Sequence, residues 1–241
     1  MLKTKDIIEI EYAMESMYEK LMELPLFQGV SRDKLSELIE KTPFHFVKYN
    51  AGERVVAAHD ECTHIRFVIS GDVRIDLPSS NRKVVVSETL SGPNVIGPDY
   101  LFGRNTFYPF NATALTECGI LQIVKADFIN ILMNDKVFLF NMLNILSRNS
   151  QKGTFGLMAL SSGSIAERLA FIITSLTQKG SKDIRVSYKQ KDLCSILGVQ
   201  RSSLVNALEH LREENILDFN LTEIRVKSRD AMLDILHSVE N

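Results

Sequence analysis

Gln200, Arg201, Ser202, Ser203 and Asn206 fall within two helical turns near the C-terminus, with no acidic residue in the run before Glu209. On a helix of 3.6 residues per turn this set forms one polar face suited to donating hydrogen bonds to anions and base edges. Arginine can donate two bonds to guanine O6 and N7, asparagine or glutamine can pair with adenine, and serine hydroxyls beside a helix N-terminus suit phosphates. Lys189 and Lys191, slightly upstream, are placed to hold a nucleic-acid backbone.

The elements that must position this face are written around it. In YKQKDLCSILGVQRSSLVNALEHLREENILDF, Leu193, Ile196 and Leu197 supply the inner face of one short helix, and Leu204, Leu208 and Leu211 that of a second. Gly198 and Val199 form the turn: the glycine permits the tight bend and the valine plugs the angle between the helices. The second helix is expected to begin at Gln200 or Arg201. The following NILDFNLTEIRVKS reads as a hairpin turning at Asn220, with Arg225 and Lys227 outward, which adds a wing to the helix-turn-helix.

Upstream, apolar residues recur at helical spacing from Lys5 to Leu24, and Ser31 caps a short helix carrying Leu35, Leu38 and Ile39. Between Phe44 and Val124 the period drops to two in short segments (FHFVKY, HIRFVISG, VRIDL, KVVVSETL, ILQIV) separated by turn residues, the pattern of an antiparallel sandwich or barrel. From Ala126 to about Leu160 the pattern is helical again. Its stripe of Phe128, Ile131, Phe138, Met142, Ile145 and Leu146 is best buried against a copy of itself, which predicts a parallel two-fold dimer, the alternative being a helix packed only on its own domain; Gly153 and Gly156 weaken the helix end. LSSG at 160–163 reads as a hinge, followed by a helix from about Ser164 to Gln178.

Composition narrows the function classes. The chain of 241 residues is 45% hydrophobic and 24% charged, enough to bury a substantial core. Its net charge is −2, and from Ser164 onward it carries 11 basic and 11 acidic residues, so nucleic-acid binding must rest on local geometry rather than a global basic field. No run approaches the roughly 20 apolar residues of a membrane helix, and the acidic start lacks a signal-peptide core, so a cytoplasmic protein is expected. Cys62, Cys118 and Cys194 are too scattered for a disulfide framework or a metal knuckle. His59 and His64 read as surface or turn residues, and a metal enzyme on a β-helix would need an HxH pair followed by glutamate, which does not occur. No enzymatic activity, metal or cofactor is expected.

The chain resembles the bacterial family of the cyclic-AMP receptor protein and the fumarate and nitrate reduction regulator (Crp/Fnr) from about Leu26 to Leu236. The resemblance rests on FVISGDVRIDL, NVIGPDYLF, SSGSIAERLA and, most specifically, LGVQRSSLVNALEHLREENIL. It implies an α+β chain: N-terminal helices and a cyclic-nucleotide-binding-like antiparallel β-barrel of the double-stranded β-helix type (1–125), a dimerisation helix (126–160) and a winged helix-turn-helix domain (161–241). It further implies a homodimeric transcription regulator bound to an imperfect palindrome of double-stranded DNA, with RNA polymerase as a candidate partner. The family's guanine-reading arginine falls on Arg201. Ser202 and Asn206 stand where the cyclic-AMP receptor has a glutamate and a second arginine, so a different half-site is expected.

The sensory cassette departs further. Pro98 occupies the place of the ribose-binding glutamate, and residues 108–113 contain no arginine for a cyclic phosphate, so cyclic AMP is not the expected effector. No cysteine precedes Cys62 to support the family's iron–sulfur sensor. An altered pocket for an unknown small molecule would be lined by Gly97, Asp99, Tyr108, Asn111 and Thr113, with Asn149 and Ser150 reaching in from the long helix, where a ligand could re-aim the C-terminal domain. The alternatives are a purely structural barrel, a barrel that answers to a partner protein, or a ligand-sensing interaction module that regulates a partner and uses its winged fold for protein contacts.

Overall fold

The computed structural model describes residues 18–79 and 81–237. The expected Lys5–Leu24 helix lies, up to residue 17, outside the described residues. Helix α1 (Arg32–Lys41) starts as expected at Ser31, whose Oγ accepts from the Lys34 amide at 3.3 Å. Eight strands follow: β1 (His45–Tyr49), β2 (Arg54–Val56), β3 (His64–Ser70), β4 (Asp72–Pro78), β5 (Val84–Ser91), β6 (Asn94–Ile96), β7 (Asn111–Ala114) and β8 (Cys118–Val124). The C-terminal half holds α2 (Lys125–Asn134), α3 (Lys136–Ser162), α4 (Ile165–Ser175), β9 (Lys182–Tyr188), α5 (Gln190–Leu197), α6 (Arg201–Glu213), β10 (Leu217–Phe219), β11 (Glu223–Val226) and α7 (Arg229–His237).

The strands of the front half form an open roll rather than a closed barrel. One sheet runs β1-β8-β3-β6, every pairing antiparallel, and faces β5-β4-β7-β2. Where the long helix covers the first sheet, the rings of Phe27, Phe67 and Phe138 meet edge to face at 5.5 and 5.2 Å, and Leu35, Ile65, Leu121 and Phe128 belong to the same core.

The helical stretch after the roll is not continuous, contrary to the sequence expectation. Asp135 breaks it, adopting an extended conformation at the end of α2 and accepting from the Val137 and Phe138 amides at 2.8 and 3.3 Å. A short carboxylate that can cap a new helix outcompetes propagation there. The expected dimer stripe is turned inward: Phe128, Ile131, Phe138 and Met142 are buried in the core of the front half, and Ile145 and Leu146 pack against it, so this stripe is not left for a second copy. The expected LSSG hinge is likewise mostly helix. Only Gly163 and Ser164 separate α3 from α4, and Ser164 starts α4 through a reciprocal capping box with Glu167.

The second feature beyond the sequence reading is β9, which adds to the edge of β5. Val84 faces Tyr188, Val85 faces Ser187 and Val86 faces Val186, and the ladder extends through a bulge to Thr89–Lys182. The result is one seven-stranded sheet, β10-β11-β9-β5-β4-β7-β2, shared by both halves of the chain. Because strand side chains alternate, one face of β5 serves two cores. Val84 and Val86 lie in the C-terminal core with Leu169, Ile173 and Ile224, while Leu90 lies in the roll.

Between them on the same face, Glu88 is 4% exposed. Its Oε2 accepts from the Gln178 amide at 2.7 Å and from the Ser181 hydroxyl. Nearby, Arg229 donates to Thr174 O (2.8 Å), Thr177 O (2.9 Å) and Thr177 Oγ1 (3.1 Å). Burial pushes its guanidinium below the ordinary arginine value, and the Glu88 and Asp230 carboxylates partly offset this. Glu88→Ala is expected to lower stability by about 2 kcal/mol, because it leaves the part-buried Gln178 amide without its acceptor, takes one of two partners from the Ser181 hydroxyl and removes a counter-charge to Arg229. Urea unfolding checks this; a loss below about 1 kcal/mol means that the carboxylate does not hold the two halves together.

Candidate nucleic-acid interface

The reading element is assembled by one row of leucines. Leu193 and Leu197 on α5 and Leu204, Leu208 and Leu211 on α6 are all buried in the C-terminal core, and Val199 packs against it from the turn. Gly198 sits in the left-handed region at φ 67°, ψ 37°, with its amide closing α5 on Cys194 O. That conformation is costly for any residue with a Cβ, which is why the turn needs glycine. Ile196 departs from expectation: contact runs along the Leu193–Leu197 row, leaving Ile196 beside it and 43% exposed.

Arg168 was not singled out from the sequence. Its Nε donates to Gly163 O at 2.9 Å and its Nη1 to Leu197 O at 3.0 Å, tying the α3–α4 junction to the end of α5. An arginine whose partners are backbone carbonyls leaves no charge partner to look for in the sequence.

Helix α6 starts at Arg201 with Gln200 as its extended N-cap, and no side chain caps it. Its first intrahelical bond runs from Leu204 N–H to Gln200 O at 3.0 Å, so the amides before it point out of the helix end. Gln200, Arg201, Ser202, Ser203 and Asn206 are all exposed, and the first turn holds no acid. Among the described residues Arg201 enters no ion pair. Lys189, the N-cap of α5, and Lys191 are exposed too. All seven residues read from the sequence are exposed, at the starts of α5 and α6.

The wing forms as expected, with Asn220 Oδ1 accepting from the Thr222 and Glu223 amides at 2.8 and 2.9 Å. Its cations, however, are engaged within the domain. Arg225 pairs with Glu223 at 2.5 Å and Lys227 with Asp218 at 3.0 Å.

The seven pocket residues do not converge on one cavity. Gly97 is left-handed at φ 50°, and a Cβ built there would stand 2.8 Å from Phe110 Cζ, 3.1 Å from Tyr100 Cδ2 and 3.2 Å from Tyr108 Cε1. These three rings pack at centroid distances of 5.3–6.2 Å, inside the cassette. Tyr108 is 1% exposed; its hydroxyl accepts from Cys62 Sγ (2.9 Å) and Arg66 Nη1 (3.0 Å), and burial pushes its pKa up.

Asp99 and Asn149 do meet, Nδ2 to Oδ1 at 2.7 Å, and so join the cassette to α3. Asn111 is occupied with the Ala58 amide at 3.0 Å, Thr113 lies on β7 between Arg54 and Arg74, and Ser150 is exposed. His59 lies in a turn at φ 74°, and His64 opens β3.

Two families account for this arrangement. Residues 46–135 match the cyclic nucleotide-binding domain, and residues 167–235 match the Crp-like helix-turn-helix domain. The HTH-type transcriptional regulator ArcR of Staphylococcus epidermidis is 26% identical over 175 residues, covering 70% of this chain and 76% of that protein. The catabolite activator protein of Thermus thermophilus shares the fold, with a TM-score of 0.52 at 18% identity over 89% of this chain and 99% of its own. With a nucleotide-binding-type roll followed by a Crp-like reading element, the chain belongs to the Crp/Fnr family of transcription regulators.

Proposed function

We propose that the chain is a homodimeric, sequence-specific DNA-binding regulator that does not respond to cyclic AMP. The observation that carries the DNA reading is the start of α6: an uncapped helix end, free of acidic residues, bearing an exposed Arg201 with no ion pair among the described residues. Placed in the major groove, Arg201 would donate in bidentate fashion to a guanine, with Gln200 and Asn206 beside it for adenine and Ser202 and Ser203 for phosphate. Lys189 and Lys191 would hold the flanking backbone. Two such helices on a two-fold axis would enter successive major grooves about 34 Å apart.

The dimer reading rests on the face of α3 turned away from the roll. Phe140 is 61% exposed and Leu143 50%, and Val137 and Leu139 are exposed on the same helix. An apolar face of this size on a family member built for two half-sites is suited to a second copy.

The reading against cyclic AMP rests on the three rings in the cassette. A cyclic phosphate needs a free cation and open space there; the chain fills the space with tyrosine and phenylalanine, and Arg66 is engaged with the Tyr108 hydroxyl. These residues do not fit the nucleotide, so no step of the regulator's action is routed through it.

Selection of duplexes from a random pool at fixed salt tests the first reading. Wild type should enrich an imperfect palindrome, and Arg201→Ala should lose about 1–3 kcal/mol of discrimination at one guanine per half-site. Enrichment of no palindrome by wild type refutes it. For the dimer, the Phe140→Asp, Leu143→Asp double variant should sediment as a monomer and bind the full palindrome at least about 100-fold more weakly; an intact dimer would place the interface elsewhere. For the pocket, millimolar cyclic AMP should leave the melting temperature unchanged, whereas a ligand at 100 times its Kd would stabilise the fold by about 2.7 kcal/mol.

A further inference from the structure

The turn between β4 and β5 belongs to the roll by sequence, yet it lies at the edge of the reading element. Strand β9 ends at Tyr188, which faces Val84 at the start of β5 on one side. On the other side the Tyr188 amide donates to Thr222 O at 2.9 Å, and its hydroxyl donates to Asn220 O at 3.0 Å. The β4–β5 turn and the wing turn therefore flank the junction from which α5 departs, separated by two strand spacings, roughly 10 Å. Lys83 Nζ lies 3.6 Å from Asp192 Oδ1 in the first turn of α5, crossing the gap between roll and reading element.

The described residues of the turn are hydrogen-bonded to one another and carry charge. Arg82 N donates to Ser79 O, and Ser79 N to Val84 O, both at 2.7 Å; Asn81 Oδ1 accepts from the Lys83 amide at 3.1 Å. Arg82 is exposed at φ 56° and makes no ion pair among the described residues. Next to it are Lys83, Lys189 and Lys191, all exposed, while Asp192, the acid beside them, has a side chain only 10% exposed. The wing's own cations are engaged with Glu223 and Asp218.

We propose that the β4–β5 turn is a second wing, in which Arg82 of the roll contacts the DNA phosphodiester backbone on the side of α5 opposite the first wing. This rests on the DNA-binding reading above and extends it, since it makes the sensory half part of the DNA footprint. A backbone contact contributes to affinity and to salt dependence without reading bases.

The test is the salt dependence of binding to the selected palindrome by the full-length dimer, comparing wild type with Arg82→Asn; asparagine tolerates the left-handed conformation, so the turn survives. Each lost phosphate contact makes the slope of log K against log[salt] shallower by about 0.9, so two tips on one palindrome should give about 1.8, with the selected sequence unchanged. An unchanged slope overturns the second wing, and an Arg82 effect that emerges only when polymerase is added assigns the turn to a protein partner and overturns it too.

A second variant checks that the sheet persists on DNA. Val85→Cys, Ser187→Cys, oxidised across a registered β5–β9 pair, should bind the palindrome within about twofold of its reduced form; loss of binding that is restored by reductant overturns the proposal. Wild type that binds no duplex at any salt refutes the DNA reading itself, which Arg82→Asn alone cannot do.

Discussion

The β5–β9 ladder is the constraint on which the rest of the molecule depends. It joins a roll and a reading element whose covalent connection is the short Gly163–Ser164 junction, and it does so with backbone bonds and a shared apolar face. Swinging the reading element away would open that ladder, expose Val84 and Val86 and leave the Glu88 carboxylate without its two donors. Exposing two buried valines alone costs on the order of 3–6 kcal/mol. Couplings between an effector site and a distant site are typically about 1–3 kcal/mol. A ligand that re-aimed the C-terminal domain about a hinge would have to recover that difference in new contacts, so the ladder favours one fixed orientation.

The cassette follows the same logic. In a ligand-gated roll the binding energy arrives with the ligand; here Tyr100, Tyr108 and Phe110 supply ring contacts permanently. The Tyr108 hydroxyl, kept neutral by burial, gives Arg66 and Cys62 a common partner inside the fold. The Asp99–Asn149 bond then fixes the cassette to α3. The three rings and this bond together pack the cassette between the roll and the long helix.

What the sequence disclosed divides along the range of the interactions. The reading element is legible because its signals are local: leucines at helical spacing, one glycine at the bend and an acid-free helix start lie within a few turns of each other. The long helix is misread because a single residue, Asp135, ends one helix and caps the next, and hydrophobic periodicity runs on across the break. Strand β9 shows its period in Ile184, Val186 and Tyr188, all buried. Periodicity of two announces a strand but not its neighbour, and its neighbour β5 lies about a hundred residues upstream. Tyr108 and Asn111 in the roll and Asn149 on the long helix stand out in the sequence as polar residues, but sequence cannot show that protein groups already occupy them.

The charge arrangement of α6 separates what stabilises the helix from what it is for. A cation at a helix N-terminus opposes the macrodipole, at a typical cost of 0.3–1 kcal/mol, and Arg201 stands there without an acid in the first turn. Gln200 in place of serine or aspartate forgoes a cap worth about 1 kcal/mol. The acids Glu209, Glu213 and Glu214 sit toward the opposite end, where the dipole disfavours them, attended by Arg212 and His210. By contrast, α1 and α4, which read nothing, are capped by Ser31 and Ser164 and carry acids in their first turns. Capping and first-turn acids, both present at α1 and α4 and both missing at the start of α6, fit a helix end kept open for a polyanion. For a chain of net charge −2, that local polarity, rather than any overall field, must bring the protein onto DNA.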